Sequence, residues 1–196
     1  PHAIIRRTGN DIAMPHRTLK VPERGMLDAY AQTLATRGFS ADAAQLAAAE
    51  RLQRLYTELL SFKVARRNTF RRLLTRTDPP RGVYFWGGVG RGKSFLMDCF
   101  YDSVPYQRKR RIHFHAFMQQ VHRQLDALKD EADPMDALAA NIARDVRLRC
   151  SAAFHVSDTA DPTFLGRLPK ALSARGVVFV MTSNYPPDRL YPNGLQ

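Results

Sequence analysis

Apolar positions along the chain follow two different periods, one in each part of the sequence. Residues 26–60 repeat apolar side chains every three or four positions, which is the spacing of amphipathic helices. The first run ends at Arg37-Gly38, and Ser40 is predicted to cap a second, longer helix. The face that this second helix is predicted to bury consists of Leu52, Leu55, Tyr56 and Leu59. A third, basic helix is predicted around Phe70.

The segment Asp78-Pro79-Pro80-Arg81-Gly82 interrupts this pattern, because prolines and glycines favour turns over helices and strands. We place a boundary there, which gives a basic helical segment at 1–78 and a second unit at 79–196. In the second unit short apolar strands alternate with helices, the pattern of a parallel α/β sheet flanked by helices. The predicted strands are Val83–Trp86, Arg111–His115, a segment within Val146–Phe154, and Val177–Thr182.

Composition and charge limit the classes of protein to which the chain can belong. Of its 196 residues, 44% are hydrophobic and 24% are charged, which is typical of a globular domain and excludes collagen-like or broadly disordered proteins. Two cysteines are too few for a disulfide framework and favour a reducing compartment. The net charge of +12 favours polyanionic partners. The chain does not begin with Met, so we expect it to be part of a longer protein.

Residues 87–94 carry the strongest chemical signal in the chain. Their sequence, Gly-Gly-Val-Gly-Arg-Gly-Lys-Ser, matches the phosphate-binding pattern G-x-x-x-x-G-K-[ST] between a predicted strand and a predicted helix. Glycines let the backbone turn tightly and point several N–H groups at one anion, and a helix N-terminus adds its positive dipole end. Lys93 supplies a charge for the outer phosphates, and Ser94 supplies a hydroxyl for Mg²⁺. The sequence therefore predicts a nucleotide-binding loop rather than a glycine-rich hairpin.

Four segments in the same order resemble the ZapE/AFG-type ATPases, a branch of the AAA+ class. The first is residues 82–98, whose Gly-Gly-Val-Gly-Arg-Gly-Lys core is more specific than the general phosphate-binding pattern. The others are residues 111–118, residues 154–158 with Asp161, and residues 182–191. The resemblance covers residues 27–196 and implies a P-loop NTPase with an AAA+-like parallel sheet, preceded by an N-terminal helical segment.

The resemblance also implies roles for individual residues. Lys93 would contact the β- and γ-phosphates of ATP, Ser94 would be the metal ligand for Mg²⁺, and Asn184 would sense the γ-phosphate. Lys93 and Asn184 are therefore the predicted catalytic residues. The residues predicted to bind the nucleotide are Gly87, Gly88, Val89, Gly90, Arg91, Gly92, Lys93, Ser94 and Phe95.

Partners and location are implied in the same way. Bacterial members of the family associate with the division ring at the inner membrane, and mitochondrial members act in protein quality control. The resemblance thus implies a cytoplasmic ATPase that forms homo-oligomers, remodels a protein partner and associates peripherally with the membrane. A core of this type has five strands and the sequence shows four, so we expect a C-terminal truncation that leaves the fifth strand and the arginine finger beyond Gln196.

One segment departs from the family at a position that matters for catalysis. Where the family has Phe-Asp-Glu-Phe, this chain has Ser151-Ala152-Ala153-Phe154. Alanines thus replace the acidic pair that holds the hydrated Mg²⁺ and polarises the attacking water. We therefore expect ATP binding with impaired hydrolysis. Two alternatives stay open: a non-hydrolysing, nucleotide-dependent scaffold that binds a partner through its basic N-terminal helices, and a nucleic-acid-binding module driven by the net charge.

Other polar residues admit both a structural and a functional interpretation. The basic run Arg108-Lys109-Arg110-Arg111 is interpreted as a solvated surface rather than as a site for nucleic acid or anionic lipid. His113 and His115 fall on one face of a predicted strand without the spacing of a metal site, and we assign them a structural role. For Asp158 and Asp161, helix capping and a place in the nucleotide site are both open.

Overall fold

The computed structural model describes residues 25–67, 78–152 and 162–187. The helices in these ranges are α1 (Met26–Arg37), α2 (Ala43–Arg67), α3 (Lys93–Ser103), α4 (Phe114–Ala127), α5 (Pro134–Asp145) and α6 (Pro162–Ala174). The strands are β1 (Val83–Trp86), β2 (Lys109–His113), β3 (Leu148–Ala152) and β4 (Val178–Ser183). The predicted helix around Phe70 lies outside the described residues. None of the described helices is both long and apolar enough to cross a membrane.

The described strands form one parallel sheet in the order β1-β4-β3-β2. β1 pairs with β4 from Val83 opposite Val180 to Trp86 opposite Ser183. Parallel neighbours need crossover connections, and helices provide them here. The predicted fold class, a parallel α/β sheet flanked by helices, is confirmed. Because all four described strands run in the same direction, the residues that follow β1 and β4 emerge at the same edge of the sheet.

Each face of the sheet is covered by its own group of helices. On one face, α1, α2 and α3 pack against β3 and β4 around a core that includes Leu52, Phe100 and Cys150. On the other face, α4, α5 and α6 enclose a core that includes Val121 and Leu138. Burial on both faces explains why β4 is a nearly continuous apolar run. The helices that precede residue 78 therefore share a hydrophobic core with the sheet.

The predicted C-terminus of α1 is confirmed, whereas the predicted N-cap of α2 is not. α1 ends at Arg37 as predicted, and its C-cap residue, Gly38, adopts the left-handed conformation with φ 67°. α2 is not capped by Ser40, so that prediction is wrong. Instead, Asp42 Oδ1 accepts a hydrogen bond from Gln45 N at 2.8 Å, and Asp42 N donates to Gln45 Oε1 at 3.1 Å. This reciprocal capping box starts the helix at Ala43.

The second strand is displaced from its predicted position by two residues. β2 ends at His113, and α4 begins at Phe114. His115 therefore lies in a helix, where its Nε2 is 3.1 Å from Gln119 Nε2, and the prediction that His113 and His115 share a strand face is wrong. The helical spacing of the buried residues Phe114, Phe117, Met118 and Val121 decides the boundary.

Candidate phosphate-binding site

The segment between β1 and α3 is a loop whose backbone depends on glycine. Gly87, Gly90 and Gly92 have backbone φ angles of 150°, 82° and 71°, which residues other than glycine rarely adopt. A Cβ added at Gly87, Gly88 or Gly90 would meet no atom within 4 Å. These glycines therefore allow the tight turn and leave its backbone N–H groups accessible. They are not required by close packing against the rest of the protein.

The loop leads directly into the N-terminus of α3. Gly92 is the N-cap residue, no side chain caps this end, and the first turn holds no acidic residue. The first N–H groups of a helix have no partner within the helix, and they carry the positive end of its dipole. The hydroxyl-bearing Ser94 is exposed in this first turn. An anion at this point would therefore meet backbone donors and a partial positive charge.

Lys93 folds back over the loop that precedes it. Its Nζ donates hydrogen bonds to the carbonyl oxygens of Gly87 and Gly88, at 2.8 and 2.7 Å. Burial lowers the pKa of Lys93, and the neighbouring charge of Arg91 lowers it further. Both causes disfavour the ammonium form, and a bound anion would favour it. The ammonium group is thus held at the loop, where it can exchange carbonyl oxygens for phosphate oxygens.

The N-terminus of α2 is tied to the tip of the loop. Asp42 Oδ2 lies 3.3 Å from Arg91 Nη2, and Gln45 Nε2 donates to the carbonyl oxygen of Arg91 at 3.2 Å. The two residues of the capping box therefore also hold the loop through both the side chain and the backbone of Arg91. The sequence alone did not indicate this contact, because Gln45 and Arg91 are 46 positions apart.

We expect Asp42→Ala to destabilise the start of α2 and to loosen the loop. Loss of the cap costs about 1 kcal/mol, whereas the exposed ion pair adds less than that. Denaturant unfolding checks the first effect, and the rate of limited trypsin cleavage after Arg91 checks the second. Glu50→Ala removes an exposed carboxylate from the same helix and is expected to change neither quantity. An unchanged cleavage rate in Asp42→Ala would show that the tether does not restrain the loop.

Helix α1 supports the first turn of α3 from the other side. The ring of Phe95 packs against Tyr30, with 5.8 Å between centroids, and the guanidinium of Arg37 lies 4.8 Å from the centroid of the same ring. Phe95 was predicted to bind nucleotide. Its side chain is engaged by α1, so its backbone N–H is the group available to a phosphate.

One further predicted residue, Asn184, lies at the same edge of the sheet as the loop. Asn184 is exposed and directly follows β4, whose last residue, Ser183, pairs with Trp86 at the end of β1. The hydroxyl of Tyr84 donates to the carbonyl oxygen of Tyr185 at 2.7 Å, which ties the segment after β4 to the loop-bearing strand. Burial raises the pKa of Tyr84 and keeps its hydroxyl protonated as a donor.

Ala152 is the last residue of β3 and is 4% exposed. It belongs to the core that contains Leu96 and Met97 of α3, so it faces the helix that follows the loop. A residue here is therefore directed to the side of the sheet where the phosphate loop lies. Ala153, Asp158 and Asp161 lie outside the described residues.

The described residues fit a phosphate group well and a magnesium ion only in part. For phosphate they offer a glycine-rich turn, an uncapped helix N-terminus and Lys93. For Mg²⁺ they offer the exposed hydroxyl of Ser94, while β3 ends in a methyl group at Ala152 instead of a carboxylate. The site thus offers donors for phosphate oxygens, and a bound phosphate chain would have to supply most of the oxygen ligands of any metal.

The family profile described as "AFG1-like ATPase" matches residues 25–196. The chain belongs to the AFG1-like ATPase family. This confirms the resemblance to ZapE/AFG-type ATPases, and the parallel order of the sheet agrees with it.

Two curated relatives of this AFG1-like chain illustrate the range of the family. The cell division protein ZapE of Escherichia coli K12 is 52% identical over 122 residues, covering 62% of this chain and 32% of that protein. Lactation elevated protein 1 homolog B of Danio rerio is 43% identical over 133 residues, covering 62% of this chain and 26% of that protein. The chain spans about a third or less of the length of these relatives.

A solved structure, AMPPCP-bound DnaA from Aquifex aeolicus, is similar with a TM-score of 0.45 and 16% identity. The similarity covers 71% of this chain and 41% of that chain.

Proposed function

We propose that this chain binds ATP through residues 87–95 and turns it over slowly. The observation that carries the proposal is the joint placement of three groups at the carboxyl edge of the sheet. The positive-φ glycine loop, the ammonium of Lys93 and the amide of Asn184 all follow β1 or β4, and these strands are paired up to Trp86 and Ser183. Asn184 would sense the γ-phosphate of the bound ATP.

Slow turnover is proposed because of the residue at the end of β3. A carboxylate at position 152 would hold the metal's water shell, and a methyl group cannot. Bound Mg²⁺ would supply charge neutralisation for the phosphates, with Ser94 as its protein ligand. Binding depends on the loop and on Lys93, so we expect it to survive the loss of the acidic pair.

The biological setting forms part of the same proposal. We propose a cytoplasmic ATPase-family protein that forms homo-oligomers, associates peripherally with the inner membrane and acts on a protein partner, either at the division ring or in quality control. Support comes from membership in the AFG1-like ATPase family and from the relative whose name is cell division protein ZapE. In a full-length relative, ATP turnover would drive the remodelling of that partner.

Titration of a fluorescent ATP analogue in the presence of Mg²⁺ tests the proposal. We expect saturable binding to the wild-type chain, weakened by about tenfold or more in Lys93→Ala, because a charge-assisted contact to phosphate is lost. Lys170→Ala, which removes an exposed ammonium group from α6, is the matched control and is expected to bind like the wild type. If the wild-type chain shows no saturable binding, or if both variants bind equally well, the proposed site is wrong.

The buried methyl group of Ala152 favours a second candidate function. A chain that binds ATP without hydrolysing it would act as a nucleotide-dependent scaffold, and its basic N-terminal helices would bind the partner. The two candidates differ in what happens when the acidic pair is restored, an experiment treated in the Discussion. The nucleic-acid alternative predicts binding that weakens steeply with salt concentration.

A further inference from the structure

A basic cavity lies on the far side of the sheet from the phosphate loop. It has a volume of about 720 Å³ and is bounded by β2, α4 and α5. The described residues that line it include five arginines and one acidic residue, Asp145. The arginines are Arg108, Arg110, Arg111, Arg144 and Arg149. β2 and β1 occupy opposite ends of the strand order, so this cavity is separate from the nucleotide site.

Arg149 is the most unusual of these residues. It is 5% exposed, and its Nε has no hydrogen-bond partner within the part of the chain that the structure describes. Its guanidinium lies 4.2 Å from the centroid of the Phe117 ring, a contact that holds the group in place without neutralising it. A buried charge without a counterion is strongly unfavourable. A bound anion would remove this cost.

The neighbouring strand adds a second charge at the same level. Arg110 of β2 is the register partner of Arg149 in β3, which places like charges side by side. Burial, and to a smaller extent the neighbouring charge of Arg110, lowers the pKa of Arg149 to about 10. Arg149 is still charged at neutral pH, so the repulsion is present under ordinary conditions. An anion between the two guanidinium groups would relieve it.

Other arginines of the cavity are already engaged. Arg111 forms an ion pair with Asp98, Arg108 Nη1 donates to the carbonyl oxygen of Arg144 at 2.6 Å, and Arg144 Nη2 donates to Asn141 Oδ1 at 3.4 Å. Within the described ranges, neither Arg110 nor Arg149 is paired with a carboxylate. Among the described residues, Arg110 Nη1 makes only a long hydrogen bond, 3.4 Å, to the carbonyl oxygen of Lys109. Because Arg110 and Arg149 are also register partners, they are the two side chains that would receive an anion.

The geometry points to a small phosphorylated molecule as the ligand of this cavity. Two guanidinium groups match the charge and the several oxygens of a phosphoryl group better than the single charge of a carboxylate. The side chains of Ile112, Val121 and Ile142 also line the cavity and offer an apolar surface for the remainder of the molecule. This site is independent of the proposed ATP site and does not require that ATP binds.

Pyrophosphate titrated by calorimetry into the Lys93→Ala protein tests the site with the loop lysine removed. We expect saturable binding, weakened about 10- to 100-fold when Arg149→Met is added, because a buried charge-assisted contact is lost. The same substitution is expected to raise the melting temperature of the ligand-free protein, since it removes an uncompensated buried charge. Arg167→Met, at an exposed position of α6, is the matched control and is expected to change neither quantity.

Arg110→Gln gives a second test that does not alter the core, because Arg110 is exposed. It is expected to weaken pyrophosphate binding as well, whereas the ATP-analogue affinity of Arg149→Met and Arg110→Gln in the wild-type background should be retained. Absence of pyrophosphate binding to the Lys93→Ala protein, or binding that neither cavity substitution changes, would overturn the proposal. A single-stranded oligonucleotide that binds more tightly than pyrophosphate and is insensitive to Arg149→Met would instead assign the charge to a nucleic-acid surface.

Discussion

Restoring the acidic pair, by Ala152→Asp together with Ala153→Glu, is expected to raise ATP turnover by about 10²- to 10⁴-fold. The aspartate would come from the end of β3, on the face that α3 covers, where it could hold the water shell of a phosphate-bound Mg²⁺. The glutamate would polarise the attacking water. Release of phosphate from ATP, measured at saturating nucleotide, checks the result.

The matched control is Ala152→Asn with Ala153→Gln, which adds the same volume without charge and should leave turnover at its original level. A carboxylate at position 152 would be buried, because Ala152 is 4% exposed. Without a metal it should destabilise the fold by about 1–3 kcal/mol, and Mg²⁺ with nucleotide should recover part of that loss. If turnover stays unchanged while nucleotide still binds, the chain is better explained as a scaffold than as an ATPase in which alanines replace the two acidic residues.

Gly82→Ala is expected to lower the free energy of unfolding by about 3 kcal/mol, the largest stability effect that we anticipate for a single methyl group here. A Cβ at this position would lie 2.3 Å from the carbonyl oxygen of Phe179, which belongs to the backbone of β4 and cannot rotate away. Relief requires β1 to move away from β4. The phosphate loop follows β1 directly, so nucleotide affinity should fall along with stability.

Gly166→Ala is the control for that experiment, because a Cβ at Gly166 would meet nothing within 4 Å. This glycine lies inside α6, where alanine is favoured by roughly 0.5–1 kcal/mol, so the control should gain stability. Chemical denaturation of the two variants measures the difference. Equal behaviour of the two variants would contradict the close approach of Gly82 to β4.

Local chemistry made most of the fold and the phosphate loop predictable. The loop needs glycine, lysine and serine at fixed spacing, and its flanking strand and helix occur where expected, at Val83–Trp86 and from Lys93. Gly38 ends α1 because few other residues tolerate a positive φ. The alternation of apolar strands and helices follows from burial on both faces of a parallel sheet.

Features that depend on distant contacts were not predictable in this way. Ser40 and Asp42 are both good helix caps, and the choice of Asp42 is reinforced by Gln45 and by a contact to Arg91. The strand-like spacing of His113 and His115 was overridden by the buried helical face that begins at Phe114. A charged residue at position 149 in a strand without other charges was a visible signal. That no carboxylate among the described residues pairs with it emerges only from the packed structure.

The pairing of β1 with β4 has a mechanical consequence for how a nucleotide would be handled. The glycine-rich loop begins after Trp86, and Asn184 follows Ser183. Trp86 and Ser183 are paired neighbours in one parallel ladder. Their separation is therefore set by the stiffness of two adjacent strands and not by the looser packing of surface helices. Bending of α4 or α5 against the sheet would leave that separation almost unchanged. The loop that would bind the phosphates and the side chain of Asn184 that would sense the γ-phosphate would therefore move together as one rigid unit.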